Sequence, residues 1–258
     1  MKALVGALIA CAAVAAGCGN DSDDGGGDAD EPVRLVVSAA ASMTAAIESC
    51  APRFEEEQNG EVRLSFAGSD ELAAQIRQGA KVDVYAAANT RLPDELSSEK
   101  LLSEPVEFAT NEFVLAVPGD SDIDSVEGVA EEGTKLVIGS ESVPIGAYTR
   151  TMLARLPAGQ EKAILANVRS NEPDVKGVVG KLIQGAADAG FVYVTDVNAT
   201  GGKLKAIDLP EDLEPQVTYA AGVVSKAPEP ELGRRFVDGL TQGACADALK
   251  ESGFGPAP

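Results

Sequence analysis

The sequence predicts an α/β protein in which short strands alternate with amphipathic helices in two successive units. Three observations carry this. From Val33 onward, short β-rich runs alternate with segments whose apolar residues recur at helical spacing. The first elements come in the order βαβαβ, the mark of a mostly parallel sheet covered by helices. And 258 residues with 45% hydrophobic content suffice for a sizeable core, in one large domain or in two lobes of about 100 residues each.

The chain opens on Lys2 and the apolar run Ala3 to Ala16. A basic start and a core shorter than the ~20 residues of a membrane span read as a signal peptide over residues 1–17, so the chain is exported. Val14-Ala15-Ala16-Gly17-Cys18 resembles the lipobox of bacterial lipoproteins, in which a Cys after small residues is lipidated and becomes the new N-terminus. Ala15 departs from the commoner Leu. Residues 18–31 then read as a tether, because Asp21, Asp23, Asp24, Asp28, Asp30 and Glu31 around Gly25-Gly26-Gly27 have nothing to bury. They lack the spacing of a calcium loop.

Val33–Val37 reads as the first strand, and Met43, Ala46, Ile47, Cys50 and Phe54 then share one helical face. Val62–Phe66 is a strand, Leu72 and Ile76 lie on a short helix ending at Gly79, and Val82–Ala88 is the third strand. Phe113–Val117 is a strand stopped by Pro118-Gly119, and an acidic stretch leads to the strand Lys135–Gly139. Helical patterns at Pro144–Leu156, Glu161–Val168 and Val175–Gln184, then strands Ala189–Val194 and Leu204–Ile207, imply a second α/β unit. The strand Val217–Val224 and helices Glu231–Leu240 and Ala244–Glu251 close the chain. No internal repeat is visible.

Charge and residue usage exclude several function classes. A net charge of −20 and a pI near 4.3 argue against nucleic acid, whose phosphates are held by clustered Lys and Arg. The chain has no His, which removes Ser–His and Cys–His relays. No cofactor and no direct metal ligands are expected, since the mature cysteines lack metal-ligand spacing. Glu56-Glu57 and Glu131-Glu132 sit in polar stretches and read as solvated surface, and a Ser–Lys hydrolase would need a lysine near Ser42 or Ser69. The chain therefore reads as no enzyme. Of the four cysteines, Cys11 leaves with the leader. Cys50 and Cys245 are candidates for one disulfide in an oxidising compartment, with two separate buried thiols as the alternative.

The strand-to-helix junctions are where chemistry is expected. Ser38-Ala39-Ala40-Ala41-Ser42 and Ala67-Gly68-Ser69 leave backbone N–H groups open at helix starts, where the dipole favours an anion. Ser42 and Ser69 equally fit as caps of their own helices. In the second half, Val143-Pro144-Ile145 and Glu172-Pro173-Asp174-Val175 open helices in the same way, so four helix starts can face one cleft.

Val37-Ser38-Ala39-Ala40-Ala41-Ser42-Met43-Thr44, Ser65-Phe66-Ala67-Gly68-Ser69 with Leu72, Gln75-Ile76 and Gly79-Ala80, and Asp83-Val84-Tyr85-Ala86-Ala87-Ala88 resemble the periplasmic molybdate-binding proteins of ABC transporters. The resemblance continues through Val143-Pro144-Ile145-Gly146-Ala147-Tyr148, Asp174-Val175-Lys176-Gly177 and Ala189-Gly190-Phe191-Val192-Tyr193. It implies the type II periplasmic binding protein fold, with a ligand cleft between lobe 1 (32–115 and 222–258) and lobe 2 (116–221). Further implied are molybdate and tungstate as ligands, held by neutral donors. These fall on Ser42 and Ser69, the backbone of Ile145 and Val175, and the Tyr193 phenol. Ile145 stands where the family often has Ala, and Asp70 where it often has a small polar residue. The implied partners are an ABC permease and its cytoplasmic ATPase, with the binding protein monomeric and held at the extracytoplasmic membrane face by Cys18. Phosphate or sulfate in the same fold is the nearest alternative.

Overall fold

The computed structural model describes residues 33–258. The expected signal peptide at 1–17, the lipidated Cys18 and the tether at 18–31 lie outside the described residues. In chain order the first elements are β1 (Val33–Ala40), a 3₁₀ turn (Ala41–Met43), α1 (Thr44–Gln58), β2 (Gly60–Ala67), α2 (Ser69–Arg77), β3 (Val84–Ala87), α3 (Arg91–Ser98) and β4 (Val106–Asn111). Then follow β5 (Phe113–Pro118), β6 (Leu136–Gly139), α4 (Pro144–Leu153), α5 (Ala158–Ala166), β7 (Val168–Glu172), α6 (Val175–Ile183), β8 (Ala189–Tyr193), α7 (Val194–Asn198) and β9 (Leu204–Ile207). The chain ends with β10 (Val217–Val223), α8 (Pro230–Thr241) and α9 (Ala244–Glu251).

The strands form two five-stranded sheets, ordered β2-β1-β3-β10-β4 and β7-β6-β8-β5-β9. In the first, β1 pairs in parallel with β2 and β3, and only β10 is reversed against its neighbours β3 and β4. In the second, β6 pairs in parallel with β7 and β8, and only β5 is reversed, against β8 and β9. Each reversed strand directly follows a crossing from the other sheet, so it enters from the opposite end. The sheets are therefore mixed, with all other strands running one way.

The lobe limits differ from those the sequence suggested. The divisions at 115/116 and 221/222 fall inside β5 and β10, yet each strand pairs along its length within a single sheet. A strand split between sheets would leave backbone groups unpaired. The chain changes sheet at Glu112 and again between Ile207 and Val217.

In the first lobe, side chains alternate across the sheet. Val84 and Ala86 of β3 join Leu35, Ile47, Phe54 and Phe236 under α1 and α8, while Tyr85 and Ala87 join Leu72, Ile76, Leu92 and Leu96 under α2 and α3. Phe54 and Phe236 meet edge to face at 5.1 Å, a geometry their ring quadrupoles favour. A disulfide joins Cys50 on α1 to Cys245 on α9. No helix among the described residues is long and apolar enough to cross a membrane.

Candidate functional site

Parallel strands bring successive strand-to-helix junctions to the same edge of a sheet, which is where ligands of open α/β sheets bind. In the first lobe Ala40 at the end of β1 lies in register with Ala67 at the end of β2, so the turn holding Ser42 sits beside the start of α2. In the second lobe β6, β7 and β8 run parallel, which groups the starts of α4 and α6 with Tyr193. The two edges face each other. Ser42, Ser69, Ile145, Val175 and Tyr193 all line one small cavity of ≈ 20 Å³, whose walls are completed by Ala40, Ala41, Ala67, Gly68, Ala88, Val143, Pro144 and Asp174. None of these residues is cationic.

Neither serine caps its own helix. Gly68 is the N-cap of α2 and no side chain fills that role; Ser69 is the first helical residue and its Oγ accepts the Ala88 N–H at 3.2 Å. Tyr85 fixes the same residue from behind, donating its hydroxyl to the Ser69 carbonyl at 2.7 Å. With its Oγ already an acceptor, the Ser69 proton is free to donate into the cavity. The Ser42 Oγ lies 2.9 Å from the Tyr219 hydroxyl, a partner that sequence reasoning missed. The N–H groups of Ile145 and Val175 lie in the first turns of α4 and α6, where no intrahelical acceptor exists. Asp174 is the N-cap of α6, and its carboxylate accepts the Gly177 N–H at 2.9 Å, which keeps that oxygen occupied at the cavity wall.

Tyr193 is 1% exposed, and its hydroxyl has no hydrogen-bond partner among the described residues. A buried unpaired hydroxyl costs about 1–3 kcal/mol, which a ligand acceptor in the cavity would recover. Burial pushes the Tyr193 phenol well above its usual range, with Tyr219, Tyr148 and Asp196 adding to the shift. The group therefore stays a proton donor. Tyr148, pushed by burial to about 12, and Tyr219 pack edge-on against Tyr193 at 6.5 and 6.0 Å.

Gly68 marks the place where the lobes meet, since a Cβ there would come within 2.5 Å of the Pro173 carbonyl oxygen and 3.2 Å of Val143 Cγ1. Asp70, one residue into α2 from Ser69, is not among the cavity-lining residues; its Oδ1 is buried without a partner. No group of three His, Cys, Asp or Glu side chains among the described residues is placed to hold a metal ion.

Over residues 35–255 the chain matches the profile of the family described as bacterial extracellular solute-binding protein. It belongs to that family. The molybdate-binding protein ModA of Mycobacterium tuberculosis is 34% identical over 255 residues, covering 97% of this chain and 95% of that one. The putative ABC transporter substrate-binding lipoprotein YvgL of Bacillus subtilis is 30% identical over 251 residues, 93% of this chain and 92% of its own. In fold, the Azotobacter vinelandii periplasmic molybdate-binding protein is similar with a TM-score of 0.74 at 18% identity, over 85% of this chain and 98% of that one. Two mixed sheets flanked by helices, with the cleft between them, are the type II periplasmic binding protein fold. A more distant relative, 21% identical over 243 residues, is an aconitate isomerase of a Pseudomonas species.

This solute-binding protein also pairs a buried carboxylate with a partly exposed lysine. Lys176, the second residue of α6, donates to Asp196 Oδ1 at 3.0 Å, while Asp196 Oδ2 has no partner. Burial raises the Asp196 carboxyl from 3.8 to about 6, against the pull of Lys176. A carboxyl raised on folding adds stability that is complete below pH 3.8 and is lost as pH rises through about 6. Asp196→Asn is therefore expected to increase the unfolding free energy at pH 7 by up to about 3 kcal/mol, with the difference closing near pH 4. Lys176, 36% exposed, can hydrate once unpaired. Urea midpoints at the two pH values check this; a variant weaker than wild type at pH 7 would mean that the ion pair outweighs its desolvation.

Proposed function

We propose that the protein binds molybdate, and tungstate with it, between its two lobes and delivers the anion to an ABC permease driven by a cytoplasmic ATPase. The observation that carries this reading is the Tyr193 hydroxyl, buried and unpartnered, on a residue that lines a cavity otherwise rimmed by Ser42, Ser69 and two helix starts. Such a cavity is a set of convergent donors with no cation. A tetrahedral dianion supplies the matching acceptors, and dipoles hold it without a buried ion pair that would be costly to break at each release. The cavity volume of ≈ 20 Å³ is far below the ~300–1,000 Å³ of sites that take drug-sized ligands, which fits a small inorganic ion. The relatives named for molybdate support the choice among oxyanions.

A protonated phosphate brings a donor of its own and needs an acceptor, and on the one carboxylate of the wall the cap of α6 already takes Oδ1. Sulfate, being smaller, fills the donors less well. In this reading closure turns on Glu112 and on residues 208–216, where the chain passes between sheets, and ligand contacts from both lobes offset its cost. The protein works as a monomer, anchored at the extracytoplasmic face through Cys18. It carries its ligand unchanged, for the chain has no His to serve as a relay base. Calorimetric titration with molybdate, tungstate, sulfate and phosphate tests the proposal. Molybdate and tungstate are expected to bind at least about 100-fold tighter than the other two, a difference near 3 kcal/mol. Phosphate binding without a molybdate response would overturn it.

A further inference from the structure

We propose that Asn111 and Tyr219 are positioning residues for the anion, which aim the Ser42 hydroxyl proton into the cleft and, through Thr195, tie that aim to the second lobe. The inference rests on the oxyanion reading of the cleft. Its basis is a continuous buried chain of hydrogen bonds. Asn111 ends β4 beside the crossing at Glu112, and its Oδ1 accepts the Glu112 N–H at 3.0 Å. That bond fixes which way the amide faces. Its Nδ2 then donates to Thr195 Oγ1 on α7 at 2.9 Å and to the Tyr219 hydroxyl at 3.3 Å. Tyr219 in turn lies 2.9 Å from Ser42 Oγ. All four residues are buried.

The direction of the Tyr219–Ser42 bond follows from counting protons. Tyr219 receives one hydrogen from Asn111 and retains its own, because burial holds its phenol far above the usual range. Among the described residues the remaining partner for that proton is Ser42 Oγ. If Ser42 donated instead, the Tyr219 proton would be buried and unpaired, which costs about as much as a lost hydrogen bond. So Tyr219 donates, Ser42 accepts, and the Ser42 proton is left for the cavity that Ser42 lines. An anion accepting that proton polarises the whole chain, since consecutive hydrogen bonds reinforce one another. The chain also spans the lobes, from Ser42 in the first to Thr195 in the second. Opening at the crossing pulls on the Asn111–Thr195 bond, so the donor is best aimed when the lobes are closed.

The test is a double-mutant cycle on molybdate affinity, measured by calorimetry for the full chain. Tyr219→Phe removes the donated proton and is expected to weaken binding about 10-fold. In a Ser42→Ala background the same change is expected to cost less than about twofold, because the hydroxyl it aims is gone. Asn111→Leu, run through the same cycle, gives the second reading should Tyr219→Phe fold poorly. Equal losses in both backgrounds overturn the inference, as they would show Tyr219 acting by packing alone, and so does a Tyr219→Phe protein that binds like wild type. A wild-type protein that binds none of the four anions overturns the oxyanion reading and this inference together.

Discussion

Replacing Cys50 and Cys245 together by Ala will lower the unfolding free energy by about 5 kcal/mol, the largest effect expected of any change away from the cleft. The size follows from chain statistics. The bond closes a loop with a sequence separation of 195, and a cross-link over so long a segment removes about 5 kcal/mol of conformational freedom from the unfolded chain. Ala is chosen because both positions are buried, at 1% and 2% exposure, and a Ser hydroxyl there would add its own burial cost. Both ends lie in the first lobe, on helices that pack against each other. The loss should therefore appear in the unfolding of that lobe, followed by circular dichroism in urea with and without reductant. Reduced wild type and the double variant should coincide. A double variant with the wild-type midpoint would mean that the unfolded chain is already compact, since then the bond has little freedom to remove.

The same separation between local and distant information decides what the sequence could reveal. β3, β8 and β10 are buried along their whole length, so they stand out as apolar runs. β7, reading Val-Arg-Ser-Asn-Glu, is an edge strand with alternating burial, and its polar letters gave no strand signal; the expected helix to Val168 instead stops at Ala166. β4 and α3 went unread for similar reasons, β4 being an edge strand with an exposed start and α3 carrying Pro93 in its first turn, a place where proline costs a helix little. An apolar run also does not say which sheet it joins, and this is why the lobe limits fell inside β5 and β10. At the cleft, the small-residue junctions were legible because a helix start between Ser, Ala and Gly is a local pattern. The chain through Asn111, Tyr219 and Thr195 was not, since Ser42 and Tyr219 are 177 positions apart. Nothing in the neighbourhood of either residue announces the other.

Gly146→Ala is expected to damage fold and cleft at once, and it tests whether the backbone of α4 is a working part of the site. Gly146 is the third residue of α4, directly after Ile145. A Cβ there would overlap the Ser140 carbonyl oxygen and come within 2.5 Å of the Gly139 carbonyl oxygen. Gly139, at the end of β6, is hemmed in reciprocally, since its own Cβ would lie 2.7 Å from the Gly146 nitrogen. The obstacles are backbone atoms, which cannot swing aside as a flexible side chain can. The first turn of α4 must move away from β6, at a cost of about 3 kcal/mol, and the Ile145 N–H moves with it. A hydrogen bond to a charged ligand is worth about 1.5–3 kcal/mol, so affinity should fall about 10- to 100-fold beyond any loss from unfolding. Gly159→Ala is the control. Gly159 lies in α5, and a methyl on its Cα would meet nothing within 4 Å, so the same substitution should raise stability by about 0.5–1 kcal/mol and leave binding unchanged. If Gly146→Ala lost stability but kept wild-type affinity in the fraction that remains folded, the donor at Ile145 would be dispensable. The anion would then be held by the side chains of Ser42, Ser69 and Tyr193 and the start of α6, and the tight approach of α4 to β6 would serve packing alone.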